Sequence, residues 1–343
     1  MSITAMRVGS VFRVAMRPFT LPRPRYTGPM QEKAREFSVG PHESGRRLDL
    51  FLAEKLALSR SRVRRLLARG AVRLAGAQLG ESAKGRTLVS GDALSVDPYR
   101  RPENECTRPE PDASLAVLAE GRGWLALDKP AGTPVHPLSE NETGTLLGAV
   151  VARHPEIQGV GEGGLRSGVV HRLDVDTSGV MLMATTEERW QSLRRAFEEH
   201  RVEKVYQALV AGQLEVAGGA NAGLALARHR PARVRVVDSE ERERARGVWD
   251  CRMTWRPLEV FEMATLLEVR PETGFLHQIR VLLAHRGYPL LGDRSYGGPD
   301  AAGSAGRHML HATRVAVDDV EAESVPSADF AELRDRLKAG HAW

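Results

Sequence analysis

Short apolar runs and alternating apolar and polar positions recur along the chain from about residue 115 onward. Such patterns, bounded by turn residues, predict strands at residues 115–118, 124–127, 201–212 and 266–269. Two intervening stretches, residues 187–200 and 279–286, have apolar residues three and four positions apart and predict helices. Residues 213–247 are polar and rich in arginine, which predicts an exposed hairpin or insertion.

The most unusual stretch is a polar segment between two apolar runs, and it reads V-V-H-R-L-D-V-D-T-S-G-V-M-L-M-A from residue 169 to residue 184. The flanking runs predict buried strands on both sides. A connection between buried strands that carries this many polar groups indicates a functional loop. The alternative is a plain loop in which an aspartate caps a turn and Thr177, Ser178 and Gly179 make the bend. The residues alone leave both interpretations open.

The segment H-R-L-D-x-x-T-S-G resembles the signature of the RluA-type family of pseudouridine synthases. Further stretches resemble the same family: residues 128–137, the K-x-Y-x-A-x-V-x-G pattern at 204–212, residues 273–293, and the L-H-A element at 310–312. The resemblance is nearly continuous from about residue 115 to 315. It implies an α+β fold, with a mixed, mainly antiparallel central sheet and flanking helices.

The resemblance also implies the residues of an active site. Asp174 occupies the position of the catalytic aspartate, Tyr206 that of the active-site tyrosine, and Arg280 that of the arginine that pairs with the aspartate. Arg172 is expected to fill the gap left by a flipped base. The remaining residues expected to bind substrate near the site are His171, Lys129, Thr177, Lys204 and His277. The sequence departs from the family pattern at Phe275 and Leu276, where Arg and Thr are usual, and at Leu282, where His is common.

The implied reaction breaks an N–C glycosidic bond and makes a C–C bond without net redox change, so no cofactor or metal is expected. An ionised carboxylate must be aimed at the ribose or the base, and a neighbouring arginine keeps it ionised when water is excluded. The target base must leave the RNA stack, at a cost of a few kcal/mol. Whether Asp174 attacks the sugar or helps to expel the base is left open by the sequence.

Residues 39–98 predict a separate small module. Ser59 is suited to cap a helix in which Val63, Leu66 and Leu67 form an apolar stripe. Five arginines and no acidic residue surround that stripe, so they repel one another unless an anion is present; they are Arg60, Arg62, Arg64, Arg65 and Arg69. A solvated helix face is the alternative. The pattern resembles the S4-like RNA-binding domain, a small α/β module, and implies that Arg60, Arg62, Arg64 and Arg65 bind RNA phosphates.

These patterns predict five segments along the chain. They are a basic, disordered N-terminal extension (1–38), the S4-like module (39–98), a linker (99–113), the catalytic domain (114–320) and a C-terminal tail (321–343). The prolines of the first segment argue against a stable helix. That segment is alternatively a basic tail that touches RNA, a transit-like segment, or untranslated, with the start at Met30.

Composition narrows the function only slightly. The 343 residues include 49 Lys and Arg against 44 Asp and Glu, and the net charge of +5 hints at a polyanionic partner. Two cysteines cannot form a disulfide framework, which suits a cytoplasmic protein. No apolar run has the roughly 18 residues of a membrane span. We expect a monomer that acts on RNA.

The S4-like module favours large-subunit ribosomal RNA as the substrate. One alternative function is a non-catalytic RNA-binding or ribosome-assembly factor on the same fold. Another is a metal-dependent hydrolase that uses Asp174, Asp176 and histidines. Against a metal site, His277 and His285 lie eight residues apart without a third ligand at a sensible spacing.

Overall fold

Separate hydrophobic cores organise the small N-terminal module and the large domain that follows it. The structure is a computed structural model that describes residues 31–229, 231–242, 247–300 and 306–341. The core of the small module forms between two helices and a short sheet, around Phe51, Leu66 and Val72. In the large domain, clusters of buried residues lie on both faces of one long sheet.

The small module has six short strands and two helices within the described residues. In chain order they are β1 (Gln31–Glu32), β2 (Arg35–Ser38), α1 (Leu48–Leu56), α2 (Arg60–Ala68), β3 (Val72–Leu74), β4 (Ala77–Leu79), β5 (Ala93–Val96) and β6 (Tyr99–Arg100). Four of the strands form an antiparallel sheet in the order β2-β5-β3-β4, and β1 pairs with β6. The backbone N–H of Arg62 donates to the Ser59 hydroxyl, so the predicted cap is confirmed. The predicted stripe of Val63, Leu66 and Leu67 is fully buried.

The large domain contains the remaining elements. They are β7 (Ala116–Gly121), β8 (Trp124–Lys129), α3 (Leu146–Arg153), β9 (Ser178–Ala184), α4 (Glu187–Glu198), β10 (Glu203–Ala211), β11 (Gly218–His229), β12 (Ala232–Val237), α5 (Ser239–Arg242), β13 (Trp249–Val260), β14 (Ala264–Pro271), α6 (Gln278–His285), β15 (Leu310–Val317), β16 (Val320–Glu323) and α7 (Ala328–Lys338).

Ten of these strands form one sheet, in the order β12-β11-β13-β14-β10-β15-β9-β8-β7, with β16 added to β15. In this part of the described chain the pairing of β15 with β9 is parallel, and the other pairings are antiparallel. The predicted α+β fold with a mixed, mainly antiparallel sheet is therefore confirmed. The hairpin predicted within residues 213–247 is β11 and β12 at the end of the sheet.

A glycine allows β9 and β15 to lie side by side where the polar segment ends. Gly179 has φ of +111°, a conformation that side chains disfavour, and it pairs with Ala312. A Cβ atom at this position would collide with the carbonyl oxygen of Ala312. The glycine of the motif is thus required for the contact that brings the C-terminal part of the chain against the polar segment.

Two sequence predictions about elements need correction. Val169 and Val170 do not form a strand: Val169 makes one isolated bridge to Met183, and the chain then enters the loop. Residues 321–341 are not a tail, because β16 extends the sheet and α7 buries Phe330, Leu333 and Leu337 against the core. Their apolar spacing of three and four residues is the physical reason for the helix.

The segments around the small module are also more ordered than predicted. Residues 31–38, predicted as part of a disordered extension, contain β1 and β2, while residues 1–30 lie outside the described residues. Residues 99–113, predicted as a linker, contain β6 and the buried side chains of Glu105 and Thr107. No helix among the described residues is both long and apolar enough to cross a membrane.

Candidate active site

The polar segment forms a loop that is held in place through its backbone carbonyl groups. Lys129, at the end of β8, donates from Nζ to the carbonyl oxygen of Val175 at 2.7 Å, and to those of Pro130 and Thr133 at 2.9 Å. From the opposite end of the sequence, Arg307 donates from Nη1 to the carbonyl oxygen of Asp176 at 3.0 Å. Because two buried basic side chains bind the carbonyl groups of the loop, its backbone is fixed relative to the sheet.

Asp174 lies at the centre of a buried ionic network. Arg280 on α6 donates from Nη1 to Oδ2 of Asp174 at 2.9 Å. The other side of the same guanidinium binds Asp293 in a bidentate pair, with Nε–Oδ2 at 2.7 Å and Nη2–Oδ1 at 2.9 Å. Arg280 and Asp293 are both buried, whereas Asp174 is partly exposed. The predicted Asp174–Arg280 pair is therefore present, with a second carboxylate behind it.

The electrostatics of this network keep Asp174 ionised. Burial by itself raises the pKa of Asp174, but the charges of His277 and Arg280 and the hydrogen bond from Arg280 lower it further, so the net pKa lies below the usual value. Burial by itself lowers the pKa of Arg280. The hydrogen bonds and negative charges of Asp293 and Asp174 have the larger effect together and raise the pKa above its ordinary value. A charged aspartate and a charged arginine thus face each other in a largely dehydrated site.

A cleft of about 700 Å³ opens beside Asp174. Eight residues that the sequence assigns to the site line it together: His171, Arg172, Asp174, Thr177, Lys204, Tyr206, His277 and Arg280. Tyr206, on β10, also packs against the core clusters that meet at this strand. Burial and the negative charge of Asp174 raise the pKa of Tyr206, so its phenol is protonated at neutral pH.

Most of these residues have a second partner that fixes their orientation. His171 accepts a hydrogen bond from the backbone of Leu182 at 2.9 Å and stacks on Phe197, with ring centroids 4.6 Å apart. Burial lowers its pKa to about 3, so it is neutral and has a structural contact in addition to its position in the cleft. Lys204 donates to the carbonyl oxygen of Thr273 at 2.9 Å, and burial lowers its pKa to about 8.

His277 lies between Asp174 and Tyr296. Its Nε2 is 3.9 Å from Oδ1 of Asp174, and its Nδ1 shares a hydrogen bond of 2.9 Å with the Tyr296 hydroxyl. The residue has φ of 54° immediately before α6, and this left-handed conformation starts the helix at Gln278. The ring of Tyr296 also lies under the Arg280 guanidinium, 5.2 Å from its centroid, so Tyr296 contacts both His277 and Arg280 beside Asp174.

Arg172 differs from its neighbours because its side chain is exposed and makes no hydrogen bond or ion pair with the part of the chain that the structure describes. Other arginines of this region, such as Arg194 and Arg280, bind protein acceptors. Arg172 is therefore the cation at the cleft that is most available to an anionic ligand.

Lys129 does not lie where the prediction of substrate binding requires. Its side chain is fully buried, with three carbonyl acceptors, and it does not line the cleft. Burial lowers the pKa of its amine to about 7, while the charges of Asp176 and Asp174 oppose that shift. Its role in the site is to hold the loop that carries Asp174.

Sequence reasoning missed four residues behind the site. Asp293 fixes Arg280, Tyr296 supports His277, Arg307 holds the loop, and His308 shares a hydrogen bond of 2.8 Å with the buried hydroxyl of Thr177. The G-D dipeptide that ends at Asp293 belongs to the family pattern and was an available signal. No group of three or more His, Cys, Asp or Glu side chains is arranged to hold a metal ion in the part of the chain that the structure describes.

The arginines of α2 have protein partners, which corrects the argument from repulsion. Asp49 on α1 is fully buried and binds Arg60 at 3.0 Å, with Arg64 at 3.9 Å, so an internal carboxylate offsets part of the positive charge. Burial raises the pKa of Asp49, but hydrogen bonds from Arg60 and Arg47 lower it further.

Two other arginines of α2 bind residues outside the helix pair. Arg62 is buried and pairs with Glu105, so it is not available to bind a phosphate as predicted. Arg65 is exposed and donates to the carbonyl oxygen of Leu138 at 3.1 Å. The exposed basic face of α2 is therefore smaller than the sequence indicates.

Comparison with known proteins gives a consistent result. The family model described as RNA pseudouridylate synthase matches residues 123–285. The chain is 37% identical to the ribosomal large subunit pseudouridine synthase D of Xanthomonas campestris pv. campestris, over 79% of this chain and 77% of that protein. It is 35% identical to an uncharacterized RNA pseudouridine synthase of Chloroflexus aurantiacus, over 82% of this chain and 85% of that protein.

Among solved structures, human RNA pseudouridylate synthase domain containing 4 has the same fold. The TM-score is 0.52 at 21% sequence identity, and the match covers 65% of this chain and 93% of that one. Identity of more than a third with full-length relatives, over most of both chains, establishes the relationship. The chain belongs to the RNA pseudouridine synthase family and is an isomerase that acts on RNA.

Proposed function

We propose that this enzyme isomerises specific uridines in large-subunit ribosomal RNA and that Asp174 is its catalytic carboxylate. The observation that carries the proposal is the position of Asp174: it is held by Arg280 at the edge of a cleft that Tyr206 also lines. A carboxylate that is both ionised and partly dehydrated is suited to attack a ribose carbon or to stabilise positive charge on the sugar.

In this proposal Arg280 positions Asp174 and keeps it charged, and Tyr206 receives the uracil ring and serves in proton transfer at C5. The C5 proton must leave when the new C–C bond forms. The raised pKa of Tyr206 favours the protonated phenol, so its hydroxyl takes up that proton only as its own proton passes to a neighbouring acceptor, while its ring stacks on the base. Burial lowers the pKa of His171 to about 3, so His171 is neutral and orients the site without adding charge. Burial also lowers the pKa of His277, and the negative charge of Asp174 opposes that shift.

The target uridine must leave its stack to reach Asp174, because the carboxylate lies inside the cleft. The uncommitted guanidinium of Arg172 is suited to occupy the space that the base leaves, or to bind a phosphate beside it. Lys204 and Thr177 complete the polar lining and are the proposed contacts to the ribose and base.

Two observations support ribosomal RNA as the substrate class. The relative from Xanthomonas campestris is named for the ribosomal large subunit. The small module carries exposed arginines on α2 (Arg60 and Arg65) and directly after it (Arg69), and they are suited to RNA phosphates in the way that the S4-like resemblance implies. We propose that the enzyme acts as a monomer and in the cytoplasm, where a ribosomal substrate is assembled in bacteria.

The decisive test compares Asp174→Asn with Asp176→Asn. Both variants lie in the same loop, and only the backbone of Asp176 makes a contact that holds the loop. The substrate is large-subunit RNA from a strain that lacks the gene for this enzyme. We expect Asp174→Asn to bind this RNA and to form no pseudouridine, because a neutral amide neither attacks the sugar nor stabilises positive charge. Asp176→Asn should retain activity within a few-fold of the parent.

Thermal melting and RNA binding must be measured on the same preparations, since loss of Asp174 leaves Arg280 with one charged partner fewer. A folded Asp174→Asn protein that forms pseudouridine at the parent rate removes Asp174 from the mechanism. If the parent itself binds RNA and forms no product on any large-subunit fragment, the proposed substrate is wrong.

A further inference from the structure

An exposed aromatic pair borders the cleft on the side of β13. Trp249 is the first residue of β13, and 60% of it is exposed. Its indole stacks on the ring of Phe275, with centroids 5.8 Å apart and an interplanar angle of 25°. Both residues line the same cleft as Asp174 and Arg172.

The position of Trp249 on its strand explains why it remains exposed. Cys251, Met253 and Trp255 alternate along β13 and are buried in the core of the sheet. Trp249 continues this inward-facing series by the two-residue period of a strand. At the beginning of β13, however, the core ends and the cleft begins, so the indole meets solvent in place of packed side chains.

An isolated exposed apolar side chain is ordinary in a folded protein. Trp249 differs because it is large, rigid and backed by a second ring, and because it adjoins a proposed RNA site. A flat aromatic surface near an exposed arginine matches the way in which proteins bind single-stranded nucleic acid, where bases stack on aromatic rings while arginines bind the phosphates. Arg172, exposed at this cleft and without a protein partner among the described residues, supplies the complementary charge; Arg166 is also exposed there but pairs with Glu162.

We infer that Trp249, backed by Phe275, stacks on an unpaired RNA base adjacent to the uridine that enters the cleft. The inference rests on the proposed function and adds a substrate-binding site to it. Since every base has a flat face, the platform recognises an unstacked neighbour of the target uridine. It therefore favours loop RNA over a continuous duplex, where the adjacent bases remain stacked on each other.

The test uses Trp249→Ala, the conservative Trp249→Tyr, and Met263→Ala as a matched loss of an exposed apolar side chain that does not line the cleft. The probe is a uridine-containing stem-loop from large-subunit RNA, together with a series in which one loop nucleotide at a time is abasic. We expect Trp249→Ala to bind the intact loop about tenfold more weakly. The Trp249→Tyr variant should retain most of the affinity of the parent, and Met263→Ala should bind like the parent.

The abasic series identifies the stacked base. At one position next to the target, removal of the base should abolish the difference between the parent and Trp249→Ala. The inference is overturned if Trp249→Ala binds the intact loop like the parent, or if the difference persists with every abasic RNA. In the latter case the tryptophan acts through the fold and not through a base.

Ultraviolet crosslinking to total RNA separates this inference from the proposed function, because it requires no product. If the parent modifies no large-subunit loop, the proposed function fails, and the crosslinked peptide still decides the role of Trp249. A nucleotide attached at Trp249 or Phe275 supports stacking, whereas crosslinks confined to other peptides contradict it.

Discussion

Two carboxylates share one guanidinium at the centre of the site. The Nε and Nη2 atoms of Arg280 donate to Asp293, and its Nη1 donates to Asp174. A planar, bidentate pair restricts the guanidinium in a way that a single hydrogen bond cannot. Asp293 touches neither the cleft nor the predicted substrate position, so we interpret it as a positioning residue that acts through Arg280.

Substitution of Asp293→Asn tests that interpretation. The amide keeps the size of the side chain but supplies one neutral acceptor in place of a bidentate carboxylate. We expect kcat to fall by roughly 10- to 100-fold, since small displacements of a catalytic group have effects of this order. Asp300→Asn is the matched control, because Asp300 pairs with Arg294 on the surface, where both side chains are about 70% exposed.

The pH profile distinguishes positioning from a merely structural role. Asp174 has a lowered pKa in the folded enzyme, so its ionised form is present at neutral pH and is lost as the pH falls through that value. In Asp293→Asn the guanidinium holds Asp174 less firmly, and the acidic limb of kcat should move to higher pH. An unchanged acidic limb in a folded variant would contradict the assignment.

The residues proposed to act on the substrate follow from the sequence pattern, whereas the residues that support them from behind do not. Asp174, Tyr206 and Arg280 occupy motif positions that the resemblance specifies. His308 contacts Thr177 across 131 residues of sequence, and no local pattern encodes such a contact. The prediction that Arg62 binds RNA phosphate is wrong for the same reason. Its partner Glu105 lies 43 residues away in the sequence.

At the scale of elements, Arg307 connects helix α7 to the loop that carries Asp174. Arg307 donates to Asp329 at the start of α7 and, with the same guanidinium, to the carbonyl oxygen of Asp176 in the motif loop. Hydrogen bonds from Arg307 lower the pKa of Asp329 to about 2. Docking of α7 therefore orders the loop that carries Asp174.

Removal of a large buried side chain from α7 should show how much the docking of this helix stabilises the protein. Phe330 is fully buried beside Leu209 and Met309, so Phe330→Ala should lower the free energy of unfolding by about 3–5 kcal/mol. Chemical denaturation measures that loss, and Glu332→Ala on the exposed face of α7 is the control. Equal midpoints for the two variants would show that α7 contributes little to the core.

The elements themselves were predicted unevenly. Strands β8, β9, β10 and β14 follow clear apolar runs or alternation, and the sequence locates them within a few residues. Helix α7 was overlooked because its composition is highly charged, although Phe330, Leu333 and Leu337 have helical spacing. Val169 and Val170 are buried without being a strand, since an apolar pair shows burial but not its backbone conformation.

At the scale of the whole molecule, arginines of α2 join the small module to two other parts of the chain. These parts are the large domain and the segment of residues 99–113 that precedes it. Arg62 binds the buried Glu105, and Arg65 binds the carbonyl oxygen of Leu138 in the loop that follows β8. Arg62 is thus committed to the protein, whereas the exposed Arg65, which uses one donor for Leu138, and the exposed Arg69 remain the proposed contacts to RNA.

Salt dependence of RNA binding should separate the two groups of arginines. Neutralising exposed Arg65 and Arg69 together should reduce the slope of log K against log salt by about 1.4 for loop RNA. Arg62→Gln should leave the slope unchanged and lower stability by about 3–5 kcal/mol, because it leaves the Glu105 charge buried without its partner. If Arg62→Gln reduces the slope and the double variant does not, the assignment is reversed.

The parallel pairing of β9 with β15 has a consequence for the timing of maturation. Ser178 and His311 are joined side by side although 133 residues separate them, and Arg307 reaches the loop from the same late segment. During synthesis the N-terminal parts emerge first, so Asp174 and Lys129 leave the ribosome long before Arg307 and β15, which complete the contacts to the loop. A chain arrested before residue 307 should show less hydrogen-exchange protection at residues 174–179 than the full-length chain, although Lys129 and β8 are already present. The site therefore gains its full set of supporting contacts only after residues 307–312 have been synthesised.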